Sequence, residues 1–175
     1  PEQRTRLTDE EVIARCPWAT TGRTHHRTPN IITSLELDPA EMEKRNIHLQ
    51  KKYAEIEENE VRFEELHCED AEYLIVAFGS CARIAQKAME IAREEGIKVG
   101  LLRPITLWPF PSKAIAARAA QVKGILTVEL NAGQMVEDVR LAVECKVPVE
   151  HFGRLGGIVP DPDEVITALK EKLIK

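Results

Sequence analysis

The segment Tyr73–Gly96, YLIVAFGSCARIAQKAMEIAREEG, restricts the fold more than any other part of the chain. An unbroken apolar run, Leu74 to Phe78, stops at Gly79. From Ser80 onward the small and apolar residues recur at Ile84, Ala85, Ala88, Met89 and Ala92. The first pattern has no polar side, as in a strand covered on both faces, and the second has helical spacing. Such a strand belongs in a parallel sheet with crossover helices on either side. The rest of the chain is therefore expected to supply further strand and helix pairs.

The downstream residues meet that demand. Strand 73–78 and helix 81–95 are followed by Gly96 as a C-cap glycine and by strand 97–102. In Arg103 to Pro111 three prolines bar regular hydrogen bonding, and Pro111 sits at the start of a helix running to about Gln121. Strand 125–130, helix 134–144 and strand 147–152 come next. Asp161-Pro162-Asp163-Glu164 caps a final helix carrying Val165, Ile166, Leu169 and Leu173. The predicted fold class is α/β: a mainly parallel, right-handedly crossed sheet flanked by helices.

Residues 1–70 read differently, as an N-terminal arm and an acidic connecting helix ahead of the α/β domain at 71–175. Thr8 with Glu11 forms a capping box for a short helix, Asp9 to Arg15, ended by Pro17. The polar stretch from Trp18 to Pro29 is loop, and Ile31 to Leu37 is extended. His25 and His26 have no third ligand in view, so a solvated loop outweighs a metal or phosphate site. Asp38 as N-cap, Pro39 at N1 and Glu41 at N3 open a long helix to about Glu60. Its apolar residues, Met42, Ile47, Leu49, Tyr53 and Ile56, are sparse, so it should lie across a neighbour. Val61 to Asp70 leads into the first strand, with Phe63 and Leu66 as anchors. Residues 36–72 hold 13 acidic and 5 basic side chains, so the whole-chain charge of −5 is the property of one segment.

Several function classes drop out. Lys and Arg are scattered and no basic stripe carries aromatics, which argues against nucleic acid. No apolar stretch nears the roughly 18 residues that a membrane helix needs. Cys16, Cys68, Cys81 and Cys145 lie far apart with no C-x-x-C, so neither a zinc knuckle nor an iron–sulfur ladder is encoded, and no metal site is expected. Reduced thiols fit a cytoplasmic protein. The chain starts at Pro1 rather than Met, so its native start is expected to lie upstream.

Ligands of open α/β sheets gather beyond the carboxyl ends of the strands. There, Gly79, Ser80 and Cys81 stand at a helix amino terminus that would attract an anion and depress a thiol pKa; the plainer reading is a tight turn and a packed small residue. Arg154, among Gly153, Gly156 and Gly157, either reaches a phosphate or carboxylate or pairs across an interface while the glycines shape a turn. Trp108 and Phe110 offer two aromatics on a proline-stiffened loop, a docking surface before a stacking site. Glu129 and Asn131 flank the end of a strand and could orient a ligand. No residue is assigned a catalytic role.

Taken together and in order, ATTGR, NIITSLELDPAEMEKRNIHLQKKYAEIEENEVRFEE, YLIVAFGSCARIA, RPITLWPFP, VELNAGQMVEDVRLAVE and FGRLGG resemble the C-terminal part of the pyrimidine-domain subunit of 2-oxoacid:ferredoxin oxidoreductases. NIITSLELDPAEME and LWPFP point to the 2-oxoisovalerate (3-methyl-2-oxobutanoate) branch rather than the 2-oxoglutarate or pyruvate branches. The resemblance implies a three-layer sandwich similar to the transketolase C-terminal domain, in an enzyme that uses thiamine diphosphate, magnesium and iron–sulfur clusters to turn a 2-oxoacid into acyl-CoA. It implies as partners the other subunits, ferredoxin and an absent N-terminal pyrimidine-binding domain. This chain has no G-D-G followed by Asn for the magnesium diphosphate and no cysteine set for a cluster, so it is expected to bind no cofactor itself and to be inactive alone. From another class, a free-standing α/β module would hold a nucleotide or acyl-CoA at Gly79 to Ala82 and Gly153 to Gly157. A purely structural assembly domain is the third reading.

Overall fold

A computed structural model of the chain describes residues 6–16, 18 and 33–174. The chain divides into two compact units, Pro1–Ile47 and His48–Lys175. His25, His26 and the ATTGR stretch lie outside the described residues.

In the first unit, α1 (Asp9–Arg15) carries the capping box expected from Thr8 and Glu11, with both reciprocal hydrogen bonds formed. Residues 33–37 form no regular element. Asp38 Oδ1 then accepts the amides of Ala40 and Glu41 at 2.8 and 3.0 Å and opens α2 (Pro39–Asn59), whose later half belongs to the second unit. None of its residues is buried. In the second unit it touches a neighbour through Tyr53, which meets Trp108 edge-on with ring centroids 5.6 Å apart.

The second unit is built on a five-stranded sheet: β1 (Phe63–Leu66), β2 (Tyr73–Ala77), β3 (Val99–Pro104), β4 (Gly124–Glu129) and β5 (Val149–Gly153), in the order β1-β3-β2-β4-β5. β3, β2, β4 and β5 are parallel, and only β1 runs against its partner, pairing Phe63 with Pro104 and Leu66 with Leu101. Alternation along β2 and β4 sorts the core into two sides. Ile75, Ala77, Leu126 and Val128 face α3 (Gly79–Glu94) and α6 (Pro162–Leu169). Leu74, Val76 and Ile125 face α4 (Ser112–Ala119) and α5 (Met135–Val143). The result is the expected three-layer sandwich. The step from β2 to β3 runs under one layer, and the opposite steps, β3 to β4 and β4 to β5, run under the other, so all three crossovers share one hand.

Several element ends depart from the sequence reading. β1 is a strand that the charged run Val61 to Asp70 concealed. α3 starts at Gly79, two residues early, with φ of +57° at that glycine. β3 and β5 each start two residues later than their apolar runs, at Val99 and Val149. The final helix ends at Leu169 and passes into a π-helical turn, Lys170–Ile174. That turn seats Leu173 over Gly124, where a Cβ would come within 2.8 Å of Leu173 Cδ2.

Candidate functional site

In the strand order, the chain leaves β2 for β3 on one side, while β4 lies on the other. The switch point therefore falls between β2 and β4. The two turns that flank it are Phe78 to Cys81 and Leu130 to Gln134, which are the turns holding Gly79, Ser80, Cys81 and Asn131. Gly79 and Ser80 are exposed; Cys81 is buried in the core beneath α3. Phe78, at the N-cap of α3, makes no side-chain cap. Burial pushes the Cys81 thiol up, and the Glu129 carboxylate raises it further. The depressed pKa that a helix amino terminus alone would give is thus reversed, and Cys81 sits as a packed small residue.

Glu129 ends β4 with only 1% of its surface exposed, and its carboxylate accepts three amides of the following turn. Met135 N donates to Oε2 at 2.8 Å, Val136 N to Oε1 at 3.0 Å, and Gln134 N spans both oxygens at 3.2 and 3.4 Å. The residue at the N-cap of α5, Gln134, makes no side-chain cap. Glu129 thus replaces the missing cap from the strand end, placing a full negative charge on the positive end of the helix. Its Oε1 also lies 3.4 Å from His151 Nδ1 on β5.

Asn131 and Gly153 are brought together. Asn131 Oδ1 accepts the Gly133 amide at 2.7 Å, which closes the turn, and its carbonyl oxygen stands 3.3 Å from His151 Nε2. Any Cβ on Gly153 would fall 2.2 Å from that same carbonyl oxygen, so the β5 end accepts only glycine without backbone movement. The Arg154 amide reaches the Glu129 carbonyl at 3.3 Å. The Arg154 guanidinium pairs with Glu164, whose carboxylate also serves the α6 capping box with Asp161. Gly156 and Gly157 are exposed further along, with φ of +66° and +83° and open space where a Cβ would project. They shape a turn and make no close approach.

The β3 loop stands apart from this cluster. Thr106 fastens it: its hydroxyl accepts the Arg62 amide at 3.0 Å and donates to the Pro109 carbonyl at 2.9 Å, while the Ile105 amide donates to the Arg62 carbonyl at 2.9 Å. Trp108 points outward at 55% exposure, but Phe110 turns inward against the core under α4 and α5. The paired aromatics expected on this loop are thus one outward and one inward. Around the carboxyl end of the sheet, Ile105, Leu107, Leu130, Leu155, Ile158 and Val159 are all exposed and form an apolar rim.

The pyruvate:ferredoxin oxidoreductase core domain II family matches residues 71–165 of this sequence. The chain belongs to that family. It is 46% identical over 165 residues to the ketoisovalerate oxidoreductase subunit VorB of Methanothermobacter thermautotrophicus, a match covering 93% of this chain and 46% of that protein. It thus spans about half the length of this curated relative. The fold matches 2-oxoglutarate:ferredoxin oxidoreductase from Magnetococcus marinus, solved with 2-oxoglutarate, coenzyme A and succinyl-CoA bound, with a TM-score of 0.68 and 25% identity over 78% of this chain and 24% of the other. It also matches a split-gene transketolase, an inactive β4 tetramer, with a TM-score of 0.56 and 20% identity over 65% of this chain and 41% of the other. The resemblance to 2-oxoacid:ferredoxin oxidoreductases and the transketolase-like sandwich both hold.

Cys68 lies in the core under α4 and α5 and Cys81 in the core under α3 and α6, on opposite faces of the sheet, so these thiols cannot converge on one cluster. Burial pushes the Cys68 thiol up to about 11, with Glu65 adding to the rise. Among the described residues no group of three or more His, Cys, Asp or Glu side chains is placed to hold a metal ion. No helix among them is long and apolar enough to cross a membrane.

Proposed function

We propose that this chain is the core-domain part of a 2-oxoisovalerate:ferredoxin oxidoreductase, which decarboxylates the 2-oxoacid oxidatively to an acyl-CoA and passes the electrons to ferredoxin. The observation that carries the reading is 46% identity to a ketoisovalerate oxidoreductase subunit across 93% of this chain. Thiamine diphosphate, magnesium, iron–sulfur clusters and coenzyme A are handled elsewhere in the complex, in the cytoplasm, and this chain alone is inactive. Residues 1–70 act as arm and connector toward a pyrimidine-binding domain, and residues 71–175 form the α/β domain.

Within the complex, the loops at the carboxyl end of the sheet face the neighbouring subunits, and the turns at Gly79 to Cys81, Asn131 and Gly153 to Gly157 border the approach of substrate or coenzyme A. The apolar rim supports that orientation, and the Trp108 loop is held in place before any partner arrives. The test is to purify the native complex through a tag on this chain and measure coenzyme A-dependent viologen reduction with 2-oxoisovalerate, 2-oxoglutarate and pyruvate. Co-purifying oxidoreductase subunits and fastest turnover of 2-oxoisovalerate are expected. Preference for 2-oxoglutarate or pyruvate would move the chain to another branch, and a complex without 2-oxoacid-dependent activity would overturn the proposal.

A further inference from the structure

The amino end of α5 is the one position at the switch point that an anion occupies, and the occupant is the chain's own Glu129. We infer that Glu129 is a built-in anion that closes the amino end of α5, on the β4 flank of the switch point, to external phosphate and carboxylate groups. The inference stands apart from the proposed oxidoreductase role and holds whatever complex the chain enters.

The geometry is that of an anion site already filled. Three consecutive amides, Gln134, Met135 and Val136, converge on two carboxylate oxygens at 2.8 to 3.4 Å. That set of donors and the helix dipole are what a bound phosphate would use. The carboxylate is almost wholly removed from solvent, and an incoming anion would have to expel a group covalently held beside the same amides. His151 Nδ1 at 3.4 Å and Thr127 Oγ1, which lies 3.3 Å from that same nitrogen, wall the carboxylate on the β5 side. Gly153, against the Asn131 carbonyl, closes the space beyond.

Glu129 is accordingly a positioning residue: it fixes the 130–134 turn that presents Asn131, and it keeps external anions off the α5 amides.

The experiment is an amide NMR titration of the 175-residue chain with inorganic phosphate and with formate, on wild type, Glu129→Ala and Glu129→Gln. Wild type is expected to show no saturable shifts at Gln134, Met135 or Val136. In Glu129→Ala both anions are expected to produce saturable shifts at the three α5 amides and to raise the melting temperature. If Glu129→Ala does not fold, Glu129→Gln decides: losing one charged acceptor should speed hydrogen exchange at Met135 and Val136 by about tenfold relative to wild type. Saturable phosphate binding to wild type at these amides, a folded Glu129→Ala chain that binds neither anion, or unchanged exchange in Glu129→Gln would each overturn the inference.

Discussion

At the scale of single residues, the side chains that matter most here are those that reach across elements. Gly153 is the sharpest case, because a Cβ there would lie 2.2 Å from a backbone oxygen that cannot rotate away. Gly153→Ala is expected to destabilise the chain by about 3 kcal/mol, read as a lower urea midpoint at unchanged slope. A second case is the Glu65–Arg118 pair, less than a quarter exposed on either side, in which Arg118 Nε and Nη2 bond Oε1 and Oε2 of Glu65 at 2.9 and 2.6 Å. The Arg118 guanidinium holds the Glu65 carboxyl below the ordinary carboxylate range. A carboxyl lowered in the folded state contributes stability that is full above its unfolded value, about pH 4.5, and lost as pH falls through the lowered folded value. Melting temperature followed on the acid side should therefore drop less steeply in Glu65→Gln than in wild type, from a lower starting plateau at neutral pH. The sequence alone pointed to Gly153 and to Asn131 but could not reveal that they touch, since their meeting depends on the register of β4 against β5. Glu129 was legible only as a residue at a strand end. The usual capping signal spans three residues, whereas Glu129 reaches amides five to seven residues ahead. The clue was an acidic residue ahead of a helix that lacks an N-cap side chain of its own.

At the scale of elements, local chemistry was readable and pairing was not. Thr8 with Glu11, Asp38 with Glu41, and Asp161 with Glu164 each marked a helix start that the structure contains, because capping is decided within four residues. Asp161→Ala should accordingly cost about 1 kcal/mol by chemical denaturation, while leaving the β-sheet circular dichroism unchanged. The strands β2, β3 and β4 were equally visible, since burial on both faces leaves an apolar run, and β5, a half-buried edge, was read from its place in the strand and helix alternation. β1 was not, because FEEL offers two glutamates and a half-exposed edge, and its strand character comes from pairing with β3. The docking loop was half legible. Its prolines announced rigidity, but whether each aromatic faces out or in depends on Thr106 and on Tyr53, which lies 55 positions before Trp108.

At the scale of the whole molecule, the α/β unit is a complete three-layer sandwich whose buried side chains are spent on its own stability. Buried thiols lie on opposite faces, the Glu129 carboxylate caps α5, and the Arg154 guanidinium pairs with a carboxylate of the α6 cap. What remains outward at the carboxyl end of the sheet is apolar surface, the property of a part that fits against others. The central claim is that this chain contributes shape and contact while electron transfer and decarboxylation take place in other parts of an oxidoreductase. The most direct measurement is coenzyme A-dependent viologen reduction by the purified 175-residue chain, supplied with 2-oxoisovalerate, thiamine diphosphate and magnesium. A rate indistinguishable from the protein-free control is predicted, and turnover by the chain alone would contradict the account.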